Sequence, residues 1–128
     1  MEPIPEKIDA VATAIVDASV AVHSRLGPGL LEKVYESCLA YEIGKRGFPV
    51  LRQVGLPLVY DDVQLEVGLR LDLVVANCVI VEIKAIESLA AIHTAQMITY
   101  LRLSGIRRGL LINFNVGLIR DGIRRIAV

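Results

Sequence analysis

Apolar residues recur at helical spacing in three segments of the 128-residue chain. The first segment covers about residues 6–25, where apolar positions lie three or four residues apart and Gly27-Pro28-Gly29 ends the pattern. A second helix is predicted from about 31 to 46. A third is predicted from about 88 to 104, with Ser88 as its N-cap. The chain therefore begins with two helices and returns to a helix once.

Shorter apolar runs, bounded by turn residues, predict the strands. They are expected at about 50–60, 65–76, 78–85, 109–114 and 123–128. Asp61-Asp62 and Asp121-Gly122 provide turns between some of them. The resulting order is α, α, β, β, β, α, β, β, which predicts a single α/β domain over residues 1–128.

One predicted hairpin carries charged residues in otherwise apolar strands. Nine of the eleven residues from Leu71 to Val81 are apolar, and Asp72 is one of the two exceptions. If Asn77 lies at the turn, Asp72 and Glu82 are five residues on either side of it and can face each other. Lys84 lies two residues after Glu82, so both side chains point to the same face of a strand. The pattern predicts two carboxylates and one ammonium group in a single patch.

A carboxylate in such apolar surroundings needs a partner, because burial of an unpaired charge costs several kcal/mol. Two interpretations of the patch are open. In the first, Asp72 and Glu82 bind a divalent metal ion such as Mg²⁺, and Lys84 orients a water molecule or an anionic substrate. In the second, Lys84 forms an internal salt bridge with one of the two carboxylates.

Several candidate residues lie on the predicted helices. Glu32 begins the second helix and either complements the helix dipole or provides a third acid against the sheet. Tyr35, one turn later, fits the core or the site. His23 has either a site role or a capping and packing role. Three residues form one stripe of the third helix, which faces either solvent or the site: His93, Gln96 and Tyr100.

The formal net charge is zero, but the charges are unevenly distributed. Residues 1–93 carry 8 Lys and Arg against 13 Asp and Glu, whereas residues 94–128 carry 6 Arg against Asp121 alone. A local basic surface is therefore compatible with the composition. Arg107 and Arg108, within the arginine-bearing region 102–125, are candidate phosphate contacts, and surface solubility explains these arginines equally well.

Hydrophobic residues make up 54% of the chain and the mean hydropathy is +0.55, which predicts buried strands and a homo-oligomer. Cys38 and Cys78 lack metal-ligand spacing and are expected to be reduced thiols. The acidic, proline-containing start differs from a signal peptide, and no apolar run is long enough to span a membrane. These features predict a cytoplasmic protein.

Five stretches of the chain, in this order, match a known pattern. They are His23-Ser-Arg-Leu-Gly-Pro-Gly-Leu-Leu-Glu32 with Lys-Val-Tyr35, Arg70-Leu-Asp72-Leu-Val, Val79-Ile-Val-Glu82-Ile-Lys84-Ala, His93-Thr-Ala-Gln96-Met-Ile-Thr-Tyr100-Leu and Leu111-Ile-Asn-Phe-Asn115. Together they resemble the GxxExxY proteins, a small bacterial and archaeal family in the PD-(D/E)XK nuclease superfamily. The resemblance covers nearly the whole chain from about Ile8. It implies a restriction-endonuclease-like α/β fold with an αβββαβ core, a mixed central sheet flanked by helices, an extra N-terminal helix and a C-terminal strand.

The resemblance also implies a role for each matching residue. Asp72 would be the metal-binding aspartate, and Glu82 the acid of the Glu-x-Lys element, with the carbonyl of Ile83 as an extra ligand. Lys84 would position or activate the attacking water. Glu32 would complete the metal shell.

Gln96 and Tyr100 match the Gln-xxx-Tyr element of the RecB-like branch, which lines the substrate path. The implied activity is that of a Mg²⁺-dependent nuclease, with Mn²⁺ as a substitute. The family does not assign the substrate, and we expect DNA in preference to RNA. The alternative is a noncatalytic domain that keeps the nuclease fold and works as a binding or assembly module. The neutral net charge and the high hydrophobicity favour that alternative.

Overall fold

A computed structural model describes residues 5–128 as an α/β structure. Its helices are α1 (Pro5–Leu26), α2 (Glu32–Lys45) and α3 (Ala91–Ser104). Within this part of the chain, no helix is long and apolar enough to cross a membrane. The acidic start of the chain, which was compared with a signal peptide, includes residues 1–4, and these lie outside the described residues.

The strands form one large sheet and one small hairpin. They are β1 (Val50–Gly55), β2 (Leu58–Tyr60), β3 (Val63–Leu65), β4 (Arg70–Val75), β5 (Val79–Lys84), β6 (Arg108–Asn113) and β7 (Ile123–Ala127). The large sheet has the order β1-β4-β5-β6-β7, with β5 and β6 parallel and the other neighbours antiparallel. A parallel pair needs a crossover, which α3 provides. The predicted fold class is confirmed.

Two strand predictions need correction. The strand predicted over 50–60 is divided into β1 and β2, because Pro57 follows Gly55-Leu56 and has no N–H for a ladder. The strand predicted over 65–76 starts only at Arg70. Before it, Gly68 adopts a left-handed conformation with φ of +75°, which interrupts an extended run. The β2–β3 hairpin is therefore an insertion between two strands of the main sheet.

The start of the third helix also differs from the prediction. The helix begins at Ala91 and its N-cap is Ala90, not Ser88. The backbone N–H of Ala90 donates a hydrogen bond of 2.9 Å to Nδ1 of His93, which supplies the N3 half of a capping box, while Ala90 has no side-chain acceptor for the first N–H groups of the helix. Near the other end of the chain, the predicted Asp121-Gly122 turn lies in a 3₁₀ turn, Ile119–Gly122, directly before β7.

The main sheet separates two apolar layers, and β5 contributes to both. Val79, Val81 and Ile83 face α1 and α2 and belong to the larger core cluster. Ile80 faces the opposite side and packs in the smaller cluster with residues of α3. Because side chains alternate along a strand, Glu82 and Lys84 project from the same side as Ile80. The free thiols Cys38 and Cys78 confirm the prediction that neither forms a disulfide.

Candidate metal centre

The β4–β5 hairpin places Asp72 opposite Glu82. Its register pairs Val75 with Val79, Val74 with Ile80 and Leu73 with Val81, so the loop is centred on Asn77. Ala76 and Asn77 have φ values of +50° and +56°, as a tight hairpin turn requires. The next positions in this register are Asp72 and Glu82. The prediction that the two acids face each other across the hairpin is confirmed.

At this position the two carboxylates, and not backbone carbonyl groups, accept the hydrogen bonds between β4 and β5. Oε2 of Glu82 accepts a hydrogen bond of 2.8 Å from the N–H of Asp72. Oδ2 of Asp72 accepts one of the same length from the N–H of Ile83. Each acid is thus bound to the backbone of the opposite strand, and both carboxylates are held side by side. One oxygen of each carboxylate is not used by these two bonds.

Burial and mutual repulsion disfavour the charged form of both acids. Glu82 is only 6% exposed, and desolvation, followed by the charge of Asp72, raises its pKa to about 8. Desolvation also raises the pKa of Asp72, and the charges of Glu36 and Glu32 add to the rise. Because the acids interact, they titrate as a coupled pair. A positive charge between them would reverse these effects, which makes the pair a suitable place for a cation.

Lys84 provides part of that positive charge. Its ammonium group lowers the pKa of both Asp72 and Glu82, although desolvation outweighs it in each case. The hydrogen bonds of the two carboxylates come from backbone N–H groups and from the amide of Gln53, while Lys84 acts on them through its charge. The structure therefore brings all three residues of the predicted patch together.

Glu32 lies at the edge of this patch. Its Oε2 accepts a long hydrogen bond of 3.4 Å from the N–H of Ala85, the residue after Lys84. Its charge acts on Asp72. Beside it lies an open groove of about 390 Å³, lined by Leu30, Leu31, Glu32, Lys33 and Ala85. The groove gives a ligand an approach to the end of β5.

Tyr35 supports the loop before Glu32 from within the core. The side chain is fully buried and its ring stacks on Phe114 with centroids 4.6 Å apart. The hydroxyl donates to the carbonyl of Gly27 at 2.6 Å and accepts from the N–H of Leu30 at 3.1 Å. Of the two interpretations of Tyr35, the core one applies.

Two residues that the sequence analysis missed lie beside Asp72. Glu36 is 8% exposed and receives hydrogen bonds from Arg52 at 3.1 and 3.2 Å and from Gln53 at 2.7 Å. Gln53 also donates to Oδ1 of Asp72 at 3.4 Å. The position of Glu36, four residues after Glu32 and so on the same face of α2, was a signal for the first. No sequence signal marked Gln53.

The histidines of the candidate list have structural roles. His93 caps α3, as described above. The Nε2 of His23 is 2.8 Å from the carbonyl oxygen of Val116, and the ring lies near Phe114. The packing interpretation of His23 therefore applies. Of the stripe on α3, Gln96 and Tyr100 remain candidates for the site.

Gln96 and Tyr100 differ in their burial. Gln96 is exposed on α3. Tyr100 is partly buried, and desolvation, together with the charges of Glu82 and Asp72, raises the pKa of its hydroxyl. The charges of both acids therefore act on the Tyr100 hydroxyl.

Arg107 and Arg108 lie at the opposite end of the β5–β6 pair from Lys84. Arg108 pairs with Val79 and Asn113 pairs with Lys84 in the parallel register. At about 3.3 Å per residue, the two ends are on the order of 16 Å apart. Arg108 forms an ion pair with Asp9 at 3.0 Å, and Nε of Arg107 donates to the carbonyl of Val128. The structure does not bring these arginines to the acids.

The donor chemistry of the patch suits a hard divalent cation, but a three-acid cluster is not formed. Across residues 5–128, no three His, Cys, Asp or Glu side chains are placed so that they could bind one metal ion. Asp72 and Glu82 would hold a cation with the oxygens that the backbone does not use. Glu32 is exposed, and it would have to turn from Ala85 to join them. The full ligand set predicted from the sequence stays a prediction.

Comparison with known proteins gives one match. The family model of the PD-(D/E)XK nuclease superfamily matches residues 9–126, which is most of the chain and includes every candidate site residue. No curated protein and no solved structure matches the chain.

Proposed function

The chain belongs to the PD-(D/E)XK nuclease superfamily, and from this premise we propose that it is a Mg²⁺-dependent nuclease that hydrolyses phosphodiester bonds in DNA. Membership supports a nuclease-like role and a nucleic acid as the substrate. The metal dependence, the DNA substrate and the catalytic activity are our proposal.

The reciprocal binding of Asp72 and Glu82 to each other's strands carries this proposal. It holds one buried and one partly buried carboxylate at the end of a strand pair, next to a lysine and near an open groove. A bound Mg²⁺ would supply charge neutralisation and a water that ionises near neutral pH. Asp72, Glu82, the Ile83 carbonyl and Glu32 are the proposed ligands, and Mn²⁺ is the proposed substitute.

The proposal gives the remaining residues separate tasks. Lys84 positions the attacking water, because its ammonium group lies on the same strand face as the carboxylate of Glu82. The water gives up a proton to solvent as its oxygen bonds to phosphorus, the bond from phosphorus to the leaving oxygen breaks, and the leaving oxygen takes up a proton from solvent. Tyr100, on which the charges of both acids act, and Gln96, exposed on the same helix, line the substrate path. Arg107 and Arg108 contact more distant phosphates, since an extended nucleic acid covers the distance between the two ends of the β5–β6 pair.

The finer assignments from the motifs belong to the same proposal. They are membership of the GxxExxY family and a place in the RecB-like branch. A homo-oligomer, which the high hydrophobicity of the chain favours, is proposed as well. A second candidate function is the noncatalytic binding or assembly module. Two observations favour it: the zero formal net charge, and a patch in which two acids, rather than three, are held together.

Cleavage of labelled single-stranded DNA, with duplex DNA and RNA as parallel substrates, tests the proposal. The wild type should cleave DNA in Mg²⁺ or Mn²⁺ and lose activity when the metal is chelated. Asp72→Ala should lower the rate by at least about 10², since it removes a ligand of the charge-stabilising cation. Asp62→Ala is the matched control, because Asp62 lies in the exposed turn of the β2–β3 hairpin. If the wild type cleaves no nucleic acid, or if Asp72→Ala cleaves as fast, the noncatalytic alternative replaces this proposal.

A further inference from the structure

Gln53 has an unusual backbone conformation in the middle of a strand. Its φ is +51°, in the left-handed region that residues other than glycine rarely adopt. The neighbouring residues keep a regular antiparallel register, in which Arg52 pairs with Leu73 and Val54 with Leu71. Gln53 therefore lies opposite Asp72, at the one position of β1 between Val50 and Gly55 where the pairing is interrupted. Such outliers persist where the surroundings hold them, and they cluster at functional sites.

The side chain of Gln53 joins two acids from different elements. Its Nε2 donates to Oε1 of Glu36 at 2.7 Å and to Oδ1 of Asp72 at 3.4 Å. A primary amide has two N–H donors, so one can serve each carboxylate. The other oxygen of Asp72 is fixed by the N–H of Ile83. Both oxygens of the Asp72 carboxylate thus have a donor, and the plane of the carboxylate is held from two sides.

The carboxylate of Glu36 is itself held by other hydrogen bonds, so it is a fixed partner for the amide of Gln53. Its second oxygen, Oε2, accepts hydrogen bonds from Nε and Nη2 of Arg52 at 3.2 and 3.1 Å. The carbonyl of Gln53 accepts a hydrogen bond from Arg70 at 3.2 Å. A continuous set of contacts therefore runs from α2 through Gln53 to Asp72. Strand pairing alone would not require this arrangement, because an ordinary extended residue would satisfy it.

We propose that Gln53 is a positioning residue of the metal centre, which orients the Asp72 carboxylate for metal binding by linking it to Glu36. This inference rests on the proposed function, because it assumes that Asp72 is a metal ligand. The left-handed backbone of Gln53 is the conformation in which its amide makes both contacts. Partners that orient metal ligands in this way typically change metal affinity by about 10–100-fold when they are removed.

Two substitutions separate the amide from the backbone. Gln53→Gly removes the amide but suits a positive φ, so it should keep or raise the melting temperature of the metal-free protein. Gln53→Met keeps the length of the side chain and the backbone strain but cannot donate either hydrogen bond. Mn²⁺ affinity, measured by isothermal titration calorimetry, should fall by about 10–100-fold in both variants. Asp62→Gly, at another left-handed residue with φ of +64°, is the control and should bind Mn²⁺ as the wild type does.

The outcomes distinguish this inference from the proposed function. If the wild type binds Mn²⁺ and either Gln53 variant binds it equally well, the positioning role is wrong while the proposed function stands. If the wild type binds no Mn²⁺, the proposed function fails, and the inference fails with it. A purely structural role for Gln53 predicts the opposite pattern, in which Gln53→Gly leaves the affinity unchanged.

Discussion

The two ends of the parallel β5–β6 pair carry similar chemical groups in different surroundings. At the amino end, Arg108 forms an ion pair with Asp9, and their side chains are 27% and 66% exposed. At the carboxyl end, Lys84 accompanies Asp72 and Glu82, and Glu82 is only 6% exposed. An acid and a base are thus present at both ends, but only the carboxyl end has an acid that is almost fully buried.

This difference in burial separates a surface contact from a site for chemistry. An exposed ion pair such as Arg108–Asp9 contributes about 0–1 kcal/mol and is screened by salt. At the buried end, desolvation raises the pKa of both acids above their usual range, and one lysine does not offset it. The charged forms of the two acids are therefore disfavoured at this end, and a bound metal ion would offset that cost. The exposed end can do no more than attract phosphate.

The largest expected effect concerns Lys84. Lys84→Ala should lower the rate of DNA cleavage by a factor on the order of 10² or more, typical of a lost catalytic group. DNA affinity in Ca²⁺, which is expected to support binding without turnover, should change little, because the proposed role of the ammonium group is to position the attacking water and not to bind the DNA backbone. Single-turnover cleavage and fluorescence anisotropy measure the two quantities. An unchanged cleavage rate would show that the proposed role of Lys84 is wrong.

An intermediate effect concerns the stability of the metal-free protein as the pH changes. The pKa of Glu82 is near 4.5 in the unfolded chain and about 8 in the folded one, so the folded state binds more protons between these values. The contribution of Glu82 to the free energy of unfolding is therefore highest below about pH 4.5 and falls as the pH rises towards 8. Since each pKa unit corresponds to about 1.4 kcal/mol, the loss should amount to a few kcal/mol.

Glu82→Gln tests this directly, because the amide cannot ionise. Urea unfolding at a series of pH values should give a flatter stability profile for this variant than for the wild type. Asp9→Asn, at the exposed end of the β5–β6 pair, is the matched control and should keep the wild-type profile. If the free energy of unfolding of the wild type does not decrease between about pH 5 and pH 8, burial does not raise the pKa of Glu82 in the folded protein.

The smallest expected effect concerns the exposed end. Substitution of Arg107 and Arg108 together by alanine should weaken DNA binding and reduce the slope of log affinity against log salt by up to about 2, since each neutralised phosphate contributes about 0.7–0.9. The rate of cleavage by bound protein should stay near the wild-type value. Salt-dependent anisotropy measures the slope. If the slope stays the same, these arginines contribute to solubility rather than to phosphate contact.

The periodic and symmetric features of the sequence predicted the structure well. Helical spacing located α1 and α2 to within about one residue, and the five-residue symmetry about Asn77 placed Asp72 opposite Glu82. Features without a period were predicted less well. The start of α3 is marked by several contacts of Ala90, whose N–H donates to His93 and whose carbonyl accepts from the N–H of His93 and from Arg124. Gly55-Leu56-Pro57 divided a strand that the apolar pattern left continuous.

By itself, the sequence determined which residues share a strand face, because side-chain alternation is a local property of the extended chain. That was enough to group Asp72, Glu82 and Lys84, while the fold class followed from the order of the elements and from the resemblance of the motifs. Only the tertiary structure decided how deeply the acids are buried, that Glu36 and Gln53 join them, and that Arg107 and Arg108 lie at the far end. Burial and the placement of Glu36 and Gln53 depend on contacts between α2, β1 and β4, which are distant in sequence, and on the exclusion of water by the assembled core. The position of the two arginines depends on the parallel pairing of β5 with β6.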